Sequence, residues 1–144
     1  MDIPEIRNKL RQELLTAFPD PDAQLDFATL EKLPYLTAII KESLRASYPV
    51  IARLARMTPE PGAVFHGYFV PAGTQVGMSN WQQHRNEDFF PDPDRFDPER
   101  WLDPTTVRRL EKQMIPFGGG SRTCEYPHES HFTRQRRPLT DASL

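Results

Sequence analysis

Near the amino terminus the apolar positions are Ile3, Ile6, Leu10 and Leu14, while Arg7, Lys9, Arg11 and Glu13 fall mostly on other faces. Recurrence every three to four residues predicts an amphipathic helix. Asp2 and Glu5 have capping-box spacing, with Asp in place of Ser or Thr, and Pro4 is tolerated in a first turn. The run Pro19-Asp20-Pro21-Asp22 stops the pattern. A second helix is predicted from Pro34, a favoured first helical residue, to Pro49. Its apolar stripe reads Leu36, Ile39, Ile40 and Leu44. Glu42 and Arg45 stand three apart on one flank, where they can meet.

The pattern then changes period. Arg53 to Thr58 partly alternates, Pro59-Glu60-Pro61-Gly62 turns, Phe65 to Val70 reads as a second strand, and Gln75 to Ser79 as a third. Pro71-Ala72-Gly73 carries Pro and Gly at the second and fourth positions of a type I turn. A small three-stranded antiparallel meander follows from this reading. Asn80 to Asp103 is aromatic, charged and broken by Pro91, Pro93 and Pro98, which excludes a regular helix. Phe89, Phe90, Phe96 and Trp101 read as core filler of a packed coil. Asp103-Pro104 starts a short helix through Val107, Leu110 and Met114.

With 144 residues the chain has the size of one ordinary domain. The expected fold is mixed α+β, mainly helix and coil with a small antiparallel sheet, ordered from about residue 30 to about residue 120. Eighteen basic and 20 acidic side chains nearly cancel, so no general nucleic-acid or membrane field is expected. No apolar run approaches membrane-spanning length, and no signal-peptide core is visible.

One cysteine narrows the chemistry further. Cys124 ends the run Phe117-Gly118-Gly119-Gly120-Ser121-Arg122-Thr123-Cys124. With no second thiol, an internal disulfide and a four-thiolate metal site are both excluded. Glycines let backbone lie close against a flat ligand, and haem iron can take a single thiolate as its axial ligand. The plain alternative is a buried, inert cysteine. Cys124, His128 and His131 also form a C-x3-H-x2-H cluster, whose sharper reading is a zinc site.

Three motifs now stand in order: Glu42-Ser43-Leu44-Arg45, Phe96-Asp97-Pro98-Glu99-Arg100-Trp101, and Phe117 to Cys124. Together they resemble the carboxyl-terminal part of cytochrome P-450 monooxygenases. Trp81 to Leu102, with His84-Arg85-Asn86 and Phe90-Pro91-Asp92-Pro93, is most similar to fungal members. The resemblance implies a partial cytochrome P-450 fold over residues 1–124. It implies that Glu42, Arg45 and Arg100 form a structural triad, and that Cys124 is the axial ligand of haem iron. By the same resemblance Phe117, Gly118, Gly120, Arg122 and Arg56 would be cofactor-binding. Arg122 and Arg56 would pair with haem propionates, and residues 50–54 would line the substrate side. Intact relatives insert one oxygen atom of O2 into a small organic substrate, take electrons from a reductase, and serve fungal secondary metabolism. Intact eukaryotic relatives are anchored in the endoplasmic-reticulum membrane.

The likeness stops at Cys124. Tyr126 stands where the family usually has glycine, Pro127 follows, and residues 125–144 show no helical stripe. They read as an unrelated, disordered tail. No helix bearing the family's acid–threonine pair for oxygen activation is present. The expectation is a truncated monooxygenase fragment. The alternatives are an inactive remnant without haem, or a small metal-binding or interaction protein. Cys-Glu-Tyr can be encoded TGT-GAG-TAC, which contains a common intron start, so the tail is a candidate for translated intron. A mature transcript running through residue 144 would defeat that idea.

Overall fold

The computed structural model describes residues 3–20, 22, 24–49 and 55–119. Five α-helices occur among them: α1 (Pro4–Ala17), α2 (Phe27–Leu30), α3 (Pro34–Ser47), α4 (Asn80–His84) and α5 (Val107–Gln113). Four short strands lie between α3 and α4: β1 (Arg56–Met57), β2 (Gly62–Phe65), β3 (Tyr68–Pro71) and β4 (Gln75–Val76). A 3-10 helix at Pro98–Trp101 precedes α5. The mixed, helix-and-coil character agrees with expectation.

The α1 helix begins one step later than the capping box implies. Ile3 is its N-cap, Pro4 leads its first turn, and no side chain caps it. Its main structural contribution is at the start of α3. Pro34 has no N–H to satisfy, and the next two N–H groups have no partner within α3. Glu13 reaches over from α1 and takes both: Oε1 accepts from Tyr35 N and Oε2 from Leu36 N, each at 2.8 Å. The first bond within α3 then runs from Thr37 N to Leu33 O at 3.0 Å.

The strands depart from a single meander. They form two antiparallel ladders, β1 with β4 and β2 with β3. The strand expected from Phe65 to Val70 is instead interrupted by a reversal. Phe65 faces Tyr68, and His66-Gly67 forms the two-residue loop with φ of 49° and 83°. Positive φ at both positions matches the right-handed twist of a hairpin, but only the glycine advertises it in sequence. The reversal after β3 also shifts by one residue. Thr74 N donates to Pro71 O at 3.2 Å, and Gly73 has φ 76°. That puts glycine at the third position, the type II arrangement, not at the fourth position of a type I turn.

A second correction concerns α3. The buried residues are Tyr35, Ala38, Glu42 and Arg45, while Ile40 of the expected apolar stripe is exposed. Ala38 joins Phe90, Trp101 and Leu110 in the core, with Phe89, Val107 and Met114 packed against them. Placing Phe89, Phe90 and Trp101 in or against the core agrees with the sequence reading. Asn80 to Asp103 is not entirely irregular, because it contains α4 and the 3-10 helix. Ser79 caps α4 by accepting from Trp81 N at 3.2 Å, and five residues suffice before the prolines begin.

Glu13→Ala is expected to lower the unfolding free energy of the chain by about 1–2 kcal/mol, the usual cost of losing a helix cap. Urea denaturation followed by circular dichroism checks this, and unchanged stability would reject the cross-helix cap.

Candidate functional site

Glu42 sits on the buried face of α3 with no solvent exposure. A carboxylate there needs charge and hydrogen bonds to replace water. Its Oε1 accepts from Arg45 Nη2 at 2.8 Å, from Asp97 N at 2.9 Å and from Arg100 Nε at 3.3 Å. Its Oε2 accepts from Arg45 Nε and from Trp101 Nε1, both at 2.9 Å. The Glu42–Arg45 contact is a fork on a fork, possible because residues three apart on a helix stack on one flank.

Arg45 is 1% exposed and spends all of its donors. A guanidinium carries five N–H groups in a fixed plane. Two meet Glu42. Nη1 also donates to His84 O at 3.1 Å and Pro93 O at 2.8 Å, and Nη2 to Arg95 O at 3.2 Å. Arg100 contributes from the opposite side, with Nη1 on Pro91 O at 2.9 Å. The proline-rich coil thus has its carbonyls tied to two fixed guanidiniums. Glu42, Arg45 and Arg100, singled out separately in the sequence, meet in space.

Burial alone would push the Glu42 carboxyl up. The Arg45 guanidinium, the Asp97 N–H and the Trp101 indole N–H outweigh it, and the group titrates below its ordinary value. Trp101 therefore does more than fill core, a role that aromatic periodicity does not reveal.

The next layer is α4. Asn80, Gln83 and His84 lie at i, i+3 and i+4, so they share a face. Together they grip the end of α5 and the segment that follows it. Asn80 Nδ2 donates to Pro116 O at 3.1 Å, Gln83 Nε2 to Gln113 Oε1 at 2.7 Å, and Ile115 N donates to His84 Nε2 at 3.0 Å. His84 is fully buried. Burial is the largest cause that lowers its pKa from 6.5 to about 4; the Arg45 charge adds to it, and the Glu42 charge partly offsets it. None of these three is a candidate site residue in the sequence, although His84 stands in the His84-Arg85-Asn86 run that resembles fungal members. Their shared helical spacing falls in a helix too short to read.

The clamped segment leads straight into the glycine loop. Gly118 N donates to Ile115 O at 3.1 Å, and Gly118 has φ 86°. Among the described residues a Cβ there would meet nothing within 4 Å. Phe117 is 44% exposed. The loop therefore starts with a half-exposed aromatic and a backbone that no described residue covers at Gly118. Gly120, Arg122 and Cys124 lie outside the described residues, as do residues 50–54 and the cluster of Cys124, His128 and His131. Arg56 is placed on β1, opposite Val76 of β4, with Nη1 donating to Ala55 O at 3.2 Å. Among the described residues no group of three or more His, Cys, Asp or Glu could hold a metal ion.

Two outcomes follow from the buried charges. Glu42→Ala leaves Arg45 buried without its counter-ion and is expected to cost about 3–5 kcal/mol in chemical denaturation. Stability is also expected to fall on acidification. The His84 pKa is depressed in the folded chain, so its contribution is complete above about pH 6.5 and declines as pH drops toward about 4. Glu42, also depressed, is complete above its unfolded pKa and is lost at still lower pH as it protonates. Urea midpoints flat between pH 7 and pH 4 would contradict the His84 assignment, and no further loss below that range would contradict the one for Glu42.

Comparison with known proteins agrees with this geometry. Residues 1–125 match the sequence profile of the Cytochrome P450 family. Cytochrome P450 monooxygenase macH of Penicillium terrestre is 46% identical over 83% of the chain. N-acetyltryptophan 6-hydroxylase ivoC of Emericella nidulans is 45% identical over 84% of it. The chain spans about a quarter of the length of these curated relatives, 24% in both cases. Among solved structures, retinoic acid-bound cyanobacterial CYP120A1 superposes with a TM-score of 0.71 at 34% identity, over 83% of this chain and 27% of that one. With its three motifs in order, its meeting of Glu42, Arg45 and Arg100, and a family match over most of its length, this chain belongs to the cytochrome P450 family.

Proposed function

We propose that this chain is the haem-binding, carboxyl-terminal part of a haem-thiolate monooxygenase. The intact protein would act on a small organic substrate of fungal secondary metabolism and draw electrons from a reductase. The observation that carries the reading is the continuous clamp from Glu42 through Arg45 and α4 to the stem of the glycine loop. Such a clamp holds a loop's exit in one direction, which a single axial thiolate requires.

The described residues fit a haem. Phe117 and Gly118 offer an aromatic edge and a backbone without side-chain bulk, with no described residue within 4 Å of a Cβ at Gly118. In this proposal Cys124 would supply the thiolate to haem iron, and Gly118 and Gly120 would let backbone lie close to the flat cofactor. Arg122 and Arg56 would pair with its propionates. Residues 50–54 face the substrate. Glu42, Arg45 and Arg100 touch no reactant and serve as the structural triad. The domain boundary falls at residue 124, with 125–144 lying outside the domain. When bound, the haem supplies reductive activation of O2 and insertion of one oxygen atom into the substrate. The protein's share is to orient and charge-balance the cofactor and to deliver the sulfur. Among the described residues no helix is long and apolar enough to cross a membrane.

Haem titration of the full chain, followed by reduction and carbon monoxide, tests the proposal. The expected result is one haem per chain and the red-shifted Soret band of thiolate-ligated iron, lost in Cys124→Ala. Failure to take up haem would favour the inactive remnant. Stoichiometric zinc uptake lost in His131→Ala would favour the small metal-binding protein.

A further inference from the structure

His84 is the one described residue that touches both ends of the clamp. Its carbonyl accepts from Arg45 Nη1 at 3.1 Å, and its ring accepts from Ile115 N at 3.0 Å. Its ring also contacts Tyr48 at 6.5 Å and Phe90 at 5.9 Å between centroids, so it is held by packing on two sides. One further observation is chemical. A neutral imidazole that accepts at Nε2 must carry its proton at Nδ1. That Nδ1 is buried and has no hydrogen-bond partner among the described residues. An orphaned buried donor is costly, and the other tautomer would set two N–H groups head to head at Ile115. The site accepts the orphan and keeps the Ile115 bond.

We propose that His84 is a positioning residue that transmits the fixed placement of the Glu42–Arg45 pair to the stem of the Phe117 loop, through an Nε2 acceptor in the Nδ1–H tautomer. Arg45 fixes the end of α4 through the carbonyl. The ring then fixes Ile115, two residues ahead of Phe117. The bond matters for direction more than for total stability, because Asn80 and Gln83 also hold the segment. Its consequence for haem rests on the function proposed above, but the bond itself does not.

The tautomer is read directly in the full chain from long-range proton–nitrogen correlations of the His84 ring. An unprotonated Nε2 with a protonated Nδ1 is expected, and the reverse pattern overturns the proposal without any variant. Two substitutions then test transmission. In His84→Gln the side-chain oxygen replaces Nε2 as acceptor, while His84→Phe keeps the bulk and removes the acceptor. Amide exchange at Ile115 is expected to accelerate about tenfold in His84→Phe, the loss of one hydrogen bond, and to stay near wild type in His84→Gln. Exchange at Leu110, in the core, should change little in either. Equal Ile115 exchange in all three proteins, or equal acceleration in both variants, overturns the proposal. Haem titration of the same proteins separates this idea from the functional one. Wild-type chain that binds no haem defeats the monooxygenase reading, whereas the Ile115 comparison still decides the role of His84.

Discussion

A carboxylate with no access to water is the constraint around which this chain is arranged. Glu42 can remain charged only because five donors converge on it, two from Arg45 on its own helix and three from the coil 97–101. Taking a single carboxylate out of water costs several kcal/mol after relaxation, comparable with the whole stability of a small domain. The compensation must therefore be nearly complete, and this has a structural consequence. A coil that contains three prolines in eight residues, at 91, 93 and 98, has few N–H groups to spare for a regular ladder. Its carbonyls at Pro91, Pro93 and Arg95 turn inward to the two guanidiniums instead. The ion pair takes the place that secondary structure would have in ordering this segment.

The same constraint explains what could and could not be read from the sequence. Helices α1, α3 and α5 were visible because prolines and apolar recurrence mark them. The facing of α3 was not. Hydrophobic periodicity assigns its inside to Leu36, Ile39, Ile40 and Leu44, yet Glu42 and Arg45 are as fully enclosed as Ala38. Polarity misleads when a buried charge brings its own partners, because each partner alone looks like a surface residue. Only the order of motifs brought Glu42, Arg45 and Arg100 together as candidates.

Other parts were illegible for local reasons. The His66-Gly67 hairpin carries half of the usual signal, since His replaces the Asn or Asp that tolerates positive φ. Glu13 read as a solvent-facing residue of an amphipathic helix, and its function lies 22 positions away at the start of α3. Asn80, Gln83 and His84 occupy a helix of five residues, shorter than any window that resolves a period. Trp101 reads as core filler in the sequence, where nothing nearby shows that its indole N–H meets Glu42. For Glu13, the α4 trio and Trp101 the missing information is the identity of a distant partner, which no single window contains.

Seen from the buried pair outward, the contacts run from an enclosed end to an exposed one. Glu42 and Arg45 are sealed, the His84 ring is buried but keeps one donor unmatched among the described residues, and Phe117 is exposed. A gradient of this kind separates two requirements. The sealed end fixes position, since no rearrangement there is cheap. In the haem-binding proposal, the open end would leave apolar surface and a backbone without side chains for a flat ligand. A loop that had to supply its own rigidity would need side chains where a porphyrin would approach. Rigidity transmitted from behind, through α4, would let Gly118 remain bare.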